Sequence, residues 1–163
     1  MKEGDSVLIN GASGAVGSMA VMITKHFGAI VTGVCSTSNI SNVANLGANR
    51  VIDYKEEDFT KEINKYDIIF DAVGKSSYKS VKESLNETGI YLTTVPILGV
   101  MIQVLTKKKL NKRRASFIAA GLREPNVKIE DLIYLEKLVI SVELKPLYGK
   151  SHNLGNVTIR VFE

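Results

Sequence analysis

The chain of 163 residues, 45% hydrophobic and 23% charged, suits one soluble globular domain with a real core. A single cysteine, Cys35, excludes an internal disulfide, and one cysteine with two histidines cannot supply a recognisable zinc cluster. The net charge of +4 is mild, and much of the excess lies in Lys107-Lys-Lys-Leu-Asn-Lys-Arg-Arg114, where no aromatics interleave, so a solvated face is expected rather than nucleic-acid binding.

The N-terminus, Met1-Lys-Glu-Gly-Asp-Ser6, leads straight into an apolar run, so no signal peptide is expected and a cytoplasmic protein is. That run, Val7 to Ile9, meets Gly11, Gly14 and Gly17, and an apolar-rich segment continues to His26. This spacing predicts a strand, a tight turn and a helix. Glycines let the backbone approach a phosphate, and the first N–H groups of the helix point at it with the positive end of the dipole behind them. Ala15, Gly17 and Ala20 provide the small surface of a helix lying close on a sheet. The stretch therefore predicts a nucleotide site with a pyrophosphate as its guest.

Gly28 stops the first helix, and Ala29 to Cys35 reads as a second buried strand. Ser36, Thr37 and Ser38 offer caps for a short helix to Leu46, ended by Gly47, and Arg50 to Asp53 forms a brief third strand. Glu56 to Asn64 predicts a polar surface helix. Tyr66 to Val73 is a fourth strand, apolar enough to be central, and Gly74 breaks it. Ser76 or Ser77 can cap a helix running to Leu85, Glu87-Thr-Gly89 is a turn, and Ile90 to Val95 is a fifth strand stopped by Pro96. The apolar run Val95 to Leu105 is too short to span a membrane and is interrupted by Pro96, Gly99 and Gln103, so a pocket wall or subunit contact is expected. Arg114 to Ala120 is a sixth strand, and Ile129 to Val142, apolar at Ile129, Leu132, Ile133, Leu135, Leu138, Val139 and Val142, is the last helix. This alternation predicts an α/β fold, a doubly wound parallel sheet of about six strands with helices on both faces.

In dinucleotide folds an acidic residue about twenty positions beyond the first glycine bonds the ribose 2′-hydroxyl of NAD. From Gly11 that address is Val34 to Ser36, and no Asp or Glu stands there. Ser36, Thr37, Ser38 and Asn39 offer neutral hydrogen bonds instead, so an extra phosphate meets no like charge, and NADP(H) is favoured over NAD(H). Tyr54, at the end of the third strand, is a further candidate for the 2′-phosphate. Lys55 beside it fits that role and an ordinary solvated lysine equally well.

Five motifs, Asn10-Gly-Ala-Ser-Gly-Ala-Val-Gly17, Val31-Thr-Gly-Val-Cys-Ser36, Leu46-Gly-Ala-Asn-Arg-Val-Ile-Asp-Tyr54, Phe70-Asp-Ala-Val-Gly74 and Gly89-Ile-Tyr-Leu-Thr-Thr-Val95, together resemble the medium-chain dehydrogenase/reductase superfamily. The branch is the quinone oxidoreductase-like or zinc-type alcohol dehydrogenase-like one, and the fold it implies is a Rossmann domain. By position, the resemblance implies that Ser13, Gly14, Ala15 and Val16 hold the pyrophosphate and that Ser36 and Tyr54 face the adenosine 2′-phosphate. Ala72, Val73 and Gly74 would run beside the ribose, and Thr94, Val95 and Pro96 would approach the nicotinamide side.

The chain departs from the superfamily at both ends. Members carry an N-terminal catalytic domain, and nothing precedes Met1 here, so that half is expected to be absent. The helix that usually precedes a Gly-Asn-Val-type strand looks deleted, since Leu144-Lys-Pro-Leu-Tyr148 leads almost directly to Gly155-Asn-Val-Thr-Ile159. Residues 1–145 are accordingly assigned to an NADP(H)-binding domain. Residues 146–163 form a tail with a short C-terminal strand resembling the last strand of the catalytic domain. A homodimer would cover the exposed edge of that strand.

The resemblance implies an NADP(H)-dependent oxidoreductase for a small-molecule substrate of the quinone, enone or alcohol/aldehyde type, or its isolated cofactor-binding half. A non-catalytic dinucleotide-binding module or degenerate remnant is the alternative. Tyr78-Lys-Ser-Val-Lys82 matches the Tyr-x-x-x-Lys pattern of short-chain dehydrogenases, but it follows the fourth strand rather than the fifth, and a surface helix with lysines accounts for it. His26 at a helix C-terminus, Cys35 at the end of a buried strand and His152 in a polar loop have no activating partner in sequence. No catalytic residue is therefore assigned, and no metal site is expected.

Overall fold

The computed structural model describes residues 1–63, 65–95, 113–117 and 124–140. Strands β1 (Ser6–Asn10), β2 (Ile30–Cys35), β3 (Arg50–Asp53), β4 (Tyr66–Asp71), β5 (Leu85–Thr93) and β6 (Arg114–Phe117) form one sheet in the order β3-β2-β1-β4-β5-β6. Every neighbouring pair is parallel. The order reverses between β1 and β4, so the crevice of this Rossmann sheet opens at the carboxyl ends of those two strands.

Strand periodicity sorts the core into two layers. In β1, Leu8 points to one face and Val7 and Ile9 to the other, and all three are buried. Leu8 joins Val34, Ile52, Tyr66, Ile69 and Tyr91, closed by Phe59 and by Tyr78 and Val81 of α3 (Tyr78–Val81). Val7 and Ile9 join Val31 and Cys35 beneath Val21 of α1 (Ala15–His26) and Val43 of α2 (Ile40–Asn45). The last helix, α4 (Pro125–Ile140), packs on α1 through Leu138 against Met22.

Four elements differ from expectation. The polar helix over Glu56 to Asn64 is replaced by a single 3-10 turn, Phe59–Lys61. The Asp58 carboxylate takes the N–H of Thr60, and buried Phe59 anchors the turn to the core, so the local side-chain bond displaces the helix. Helix α3 is one turn long rather than extending to Leu85. Its start is as expected, a capping box between Ser77 and Ser80, but the Ser84 carbonyl accepts the N–H groups of Lys65 and Tyr66 and draws Leu85 into the sheet. The turn at Glu87 to Gly89 falls inside β5, where the register shifts between Tyr66↔Leu85 and Ile68↔Ile90. Helix α4 starts at Pro125, a turn before Ile129, because proline is well suited to a first helical position.

The short second helix opens with a 3-10 turn, Thr37–Asn39, ahead of α2. Of the sixth strand, Arg114–Phe117 is described. Pro96, most of the apolar run to Leu105, the basic run before Arg113, His152 and the C-terminal tail lie outside the described residues. Among the described residues no helix is long and apolar enough to cross a membrane.

Candidate functional site

At the reversal point a groove of about 770 Å³ runs over the carboxyl ends of β1, β2 and β4. Its floor is the glycine turn. Gly11 sits at φ +84°, and a Cβ there would stand 2.2 Å from Cγ2 of Val73. Gly17 is equally constrained: its Cβ would meet the Gly11 carbonyl oxygen at 2.1 Å, which fixes the close approach of α1 to β1. Gly14 differs from both. It caps α1 at φ −76°, and its Cβ would meet nothing nearer than the Gly11 oxygen at 3.4 Å. The fold itself does not demand a glycine at position 14, so the bare Cα leaves space on the groove side. No side chain caps α1 and no acid lies in its first turn, so its positive end faces the groove unopposed by local carboxylates.

The structure brings Gly11, Ser13, Gly14, Ala15, Val16, Gly17, Ser36, Tyr54, Ala72 and Val73 together along this groove. Tyr54 is held beside the end of β2 by its N–H bond to the Cys35 carbonyl, and its ring is 60% exposed. Asn39 does not line the groove. It stands behind Ser36, donating Nδ2 to Ser36 Oγ at 3.1 Å, and Ser38 Oγ lies 3.2 Å from the same hydroxyl. Gly74, Thr94 and Val95 also lie off the groove, clustered at the ends of β4 and β5. Gly74 takes φ +72° under Val95, and the Val95 N–H donates to Thr93 Oγ1.

Several lining residues were not anticipated. Lys75, rather than Lys55, is the cation on the groove wall among the described residues, and the Lys55 N–H instead bonds Asp53. Asp58, Phe59 and Thr60 form another part of the wall. The Asp58 carboxyl is held below its usual range chiefly by the Thr60 hydroxyl. Asn10 and Ser76 line the groove above a buried carboxylate, Asp71, which accepts from Asn10 Nδ2, from the N–H groups of Val73, Gly74 and Ser76, and from the Tyr91 hydroxyl. Its signal in the sequence was a charged residue ending the apolar stretch Ile68-Ile69-Phe70. Burial first, then the Asp71 charge, pushes the Tyr91 phenol well above its usual range.

The other reactive side chains have structural surroundings. Cys35 is buried at the groove edge, and burial, then Asp53, pushes its thiol up. His26 packs edge-on against Phe27 at the end of α1. Tyr78 is buried with its hydroxyl 3.4 Å from the Arg113 carbonyl, and Lys82 pairs with Glu83, so the Tyr78/Lys82 pair does not face the groove. Arg113 also donates to the Asn86 carbonyl. Among the described residues no group of three or more His, Cys, Asp or Glu side chains could hold a metal ion.

The zinc-binding dehydrogenase family model matches residues 15–129. The chain is 29% identical over 140 residues to 2-methylene-furan-3-one reductase of Solanum lycopersicum, covering 83% of this chain and 36% of that protein. It is 31% identical over 128 residues to the chloroplastic NADPH-dependent alkenal/one oxidoreductase of Arabidopsis thaliana, covering 76% of this chain and 33% of that one. The solved quinone oxidoreductase of Coxiella burnetii superposes with a TM-score of 0.70 at 32% identity, over 88% of this chain and 44% of that chain. The chain thus spans less than half the length of these relatives.

Proposed function

Because the chain belongs to the zinc-binding dehydrogenase family of the medium-chain dehydrogenase/reductase superfamily, we propose that it is the cofactor-binding part of an NADP(H)-dependent oxidoreductase. Its substrates in this reading are quinones or activated carbon–carbon double bonds. The observation that carries the reading is the groove itself: an open glycine at the N-terminus of α1, and at the β2 edge neutral Ser36 beside Tyr54. A dinucleotide fits this set, since Gly14 leaves bare the place where a methyl would otherwise stand and the end of β2 itself carries hydroxyls, while the neighbouring Asp53 carboxylate is bonded by the Thr37 side chain and the Lys55 N–H. The NADPH dependence of the Arabidopsis relative supports the choice of NADP(H).

The chain's residues then divide the work of binding. Ser13 to Gly17 and the first turn of α1 hold the pyrophosphate, with Gly11 shaping the turn. Ser36, presented by Asn39, and Tyr54 take the 2′-phosphate. Ala72 and Val73 border the ribose within the groove, and in this reading the nicotinamide side extends past it toward Gly74 and Thr94 to Pro96. The bound nicotinamide supplies the hydride, and the protein's part is to place it and exclude water. No catalytic side chain is assigned.

The domain limits belong to the same proposal, with residues 1–145 binding the cofactor and 146–163 forming a tail strand whose edge self-association would cover. A cytoplasmic location is proposed with it, checked by cell fractionation, since one relative is chloroplastic. A second reading is a dinucleotide-binding module that binds the cofactor without turnover. Titration with NADPH and NADH in parallel, followed by nicotinamide fluorescence, tests the first part. Saturable binding with clear preference for NADPH is expected, and absence of both overturns the proposal. Assay against a panel of quinones and enones separates the two readings: turnover sustains the enzyme, and binding without turnover the module.

A further inference from the structure

We infer that Asp71 is a positioning residue for the cofactor groove, holding the loop Ala72 to Ser76 in the shape that forms its wall; this rests on the NADP(H) reading above. Asp71 ends β4 and is 0% exposed. Its Oδ1 accepts from Asn10 Nδ2 at 3.1 Å and from the N–H groups of Val73 and Gly74 at 3.1 and 2.9 Å. Its Oδ2 accepts from the Ser76 N–H at 2.9 Å and the Tyr91 hydroxyl at 3.0 Å. None of these donors is a cation. A buried carboxylate is costly unless hydrogen bonds satisfy it, and Asp71 is buried completely at the end of a central strand.

The donors show what this carboxylate does. Three are loop N–H groups, one ends β1 at the reversal point, and one comes from β5, so a single side chain ties three strands to the loop. The shape then passes to the glycine turn: Val73, set by its N–H bond to Asp71, lies over Gly11 so closely that a Cβ there would stand 2.2 Å from its Cγ2. The same Tyr91 hydroxyl lies 2.9 Å from the Ser76 carbonyl, so its one proton is shared between the loop and the carboxylate. Position 71 therefore governs the groove wall without itself lining it.

Asp71→Asn isolates this role, because an amide has one acceptor oxygen. Whichever way it turns, its NH2 faces loop N–H groups that it cannot accept from, on the Ser76 side or the Val73 and Gly74 side. The experiment titrates NADPH by nicotinamide fluorescence into the full chain, its Asp71→Asn variant, and Val7→Ala, a core truncation at the opposite end of β1. Amide spectra of Val73, Gly74 and Ser76 are recorded alongside. We expect Asp71→Asn to bind at least about tenfold more weakly with displaced loop amides, and Val7→Ala to lose thermal stability while binding as the parent does. If Asp71→Asn does not fold, Tyr91→Phe, which removes one donor and keeps the carboxylate, is expected to shift the same amides and weaken binding at least about threefold. Parent binding with variant affinity unchanged within about twofold overturns the role of Asp71 alone. A parent that binds no NADPH overturns the cofactor reading and this inference with it.

Discussion

Substituting Gly17 and Gly14 separately by alanine divides the glycine turn into its folding and binding parts. A methyl on Gly17 would stand 2.1 Å from the Gly11 oxygen, 2.8 Å from its carbonyl carbon and 2.9 Å from Cα of Ala12. All three are backbone atoms at the end of β1, so no side chain can swing clear, and relief requires α1 to lift by about 1 Å. Such overpacking costs about 1–3 kcal/mol, and its upper end applies where backbone must move. Alanine's helix preference returns up to about 1 kcal/mol, leaving a net loss of about 2 kcal/mol. For a domain of this size that lowers Tm by about 4–8 °C.

Gly14→Ala has a different balance. Its φ of −76° is ordinary and the nearest contact is at 3.4 Å. Reduced unfolded-state entropy gains about 0.4–1 kcal/mol and the poorer N-cap loses a similar amount, so Tm should stay within about 3 °C. Its methyl nevertheless enters the space proposed for the pyrophosphate, and NADPH affinity should fall at least about tenfold. Circular dichroism melting and fluorescence titration of both variants give the comparison. Gly17→Ala melting with the parent would refute the packing argument. Gly14→Ala binding as the parent does would refute the placement of the ligand over its bare Cα.

Three further outcomes follow from named side chains. Ser36→Asp places a carboxylate where the 2′-phosphate is proposed, so NADPH binding should weaken by about tenfold or more while NADH binding holds or improves, as read by parallel titration. Burial alone would raise the Glu62 carboxyl, but hydrogen bonds from Arg50 at 2.5 Å and from the Tyr66 hydroxyl hold it below its ordinary 4.5. Its stabilising contribution is therefore present above 4.5 and lost as pH falls through the lower folded value, so melting across acid pH should be steeper in the parent than in Glu62→Gln. Tyr66 and Tyr91 are shifted the opposite way, chiefly by burial and then by Glu62 and Asp71, so their contribution holds below the ordinary 10.0 and is lost as pH rises beyond it. Ultraviolet titration should show two phenols ionising well above the ordinary 10.0, with less alkaline loss of stability in Tyr91→Phe.

The parallel sheet was legible because its central strands carry continuous apolar runs, as at Val7 to Ile9 and Ile68 to Phe70, separated by glycines and helix caps. Helix lengths were less legible. The polar stretch after Glu56 has helical composition, but the Asp58 bond to Thr60 and the burial of Phe59 decide for a 3-10 turn. Leu85 could equally end a helix or begin a strand, and its parallel pairing with Tyr66 on the adjacent strand β4, a contact across strands that no local pattern announces, assigns it to β5.

The same division holds at the site. The sequence by itself determined the glycine turn, the neutral β2 edge at Ser36 and the strand alternation, because each is a local pattern in which neighbouring residues fix backbone geometry and charge. Only the tertiary structure decided that Gly11 and Gly17 serve packing while Gly14 leaves a space, that Lys75 rather than Lys55 reaches the wall, and that Asn39 stands behind Ser36. It also brought Asn10, Asp71 and Tyr91 into one buried network. These residues lie on three strands, and a hydrogen bond across strands depends on sheet order and register, which only the packed fold brings into being.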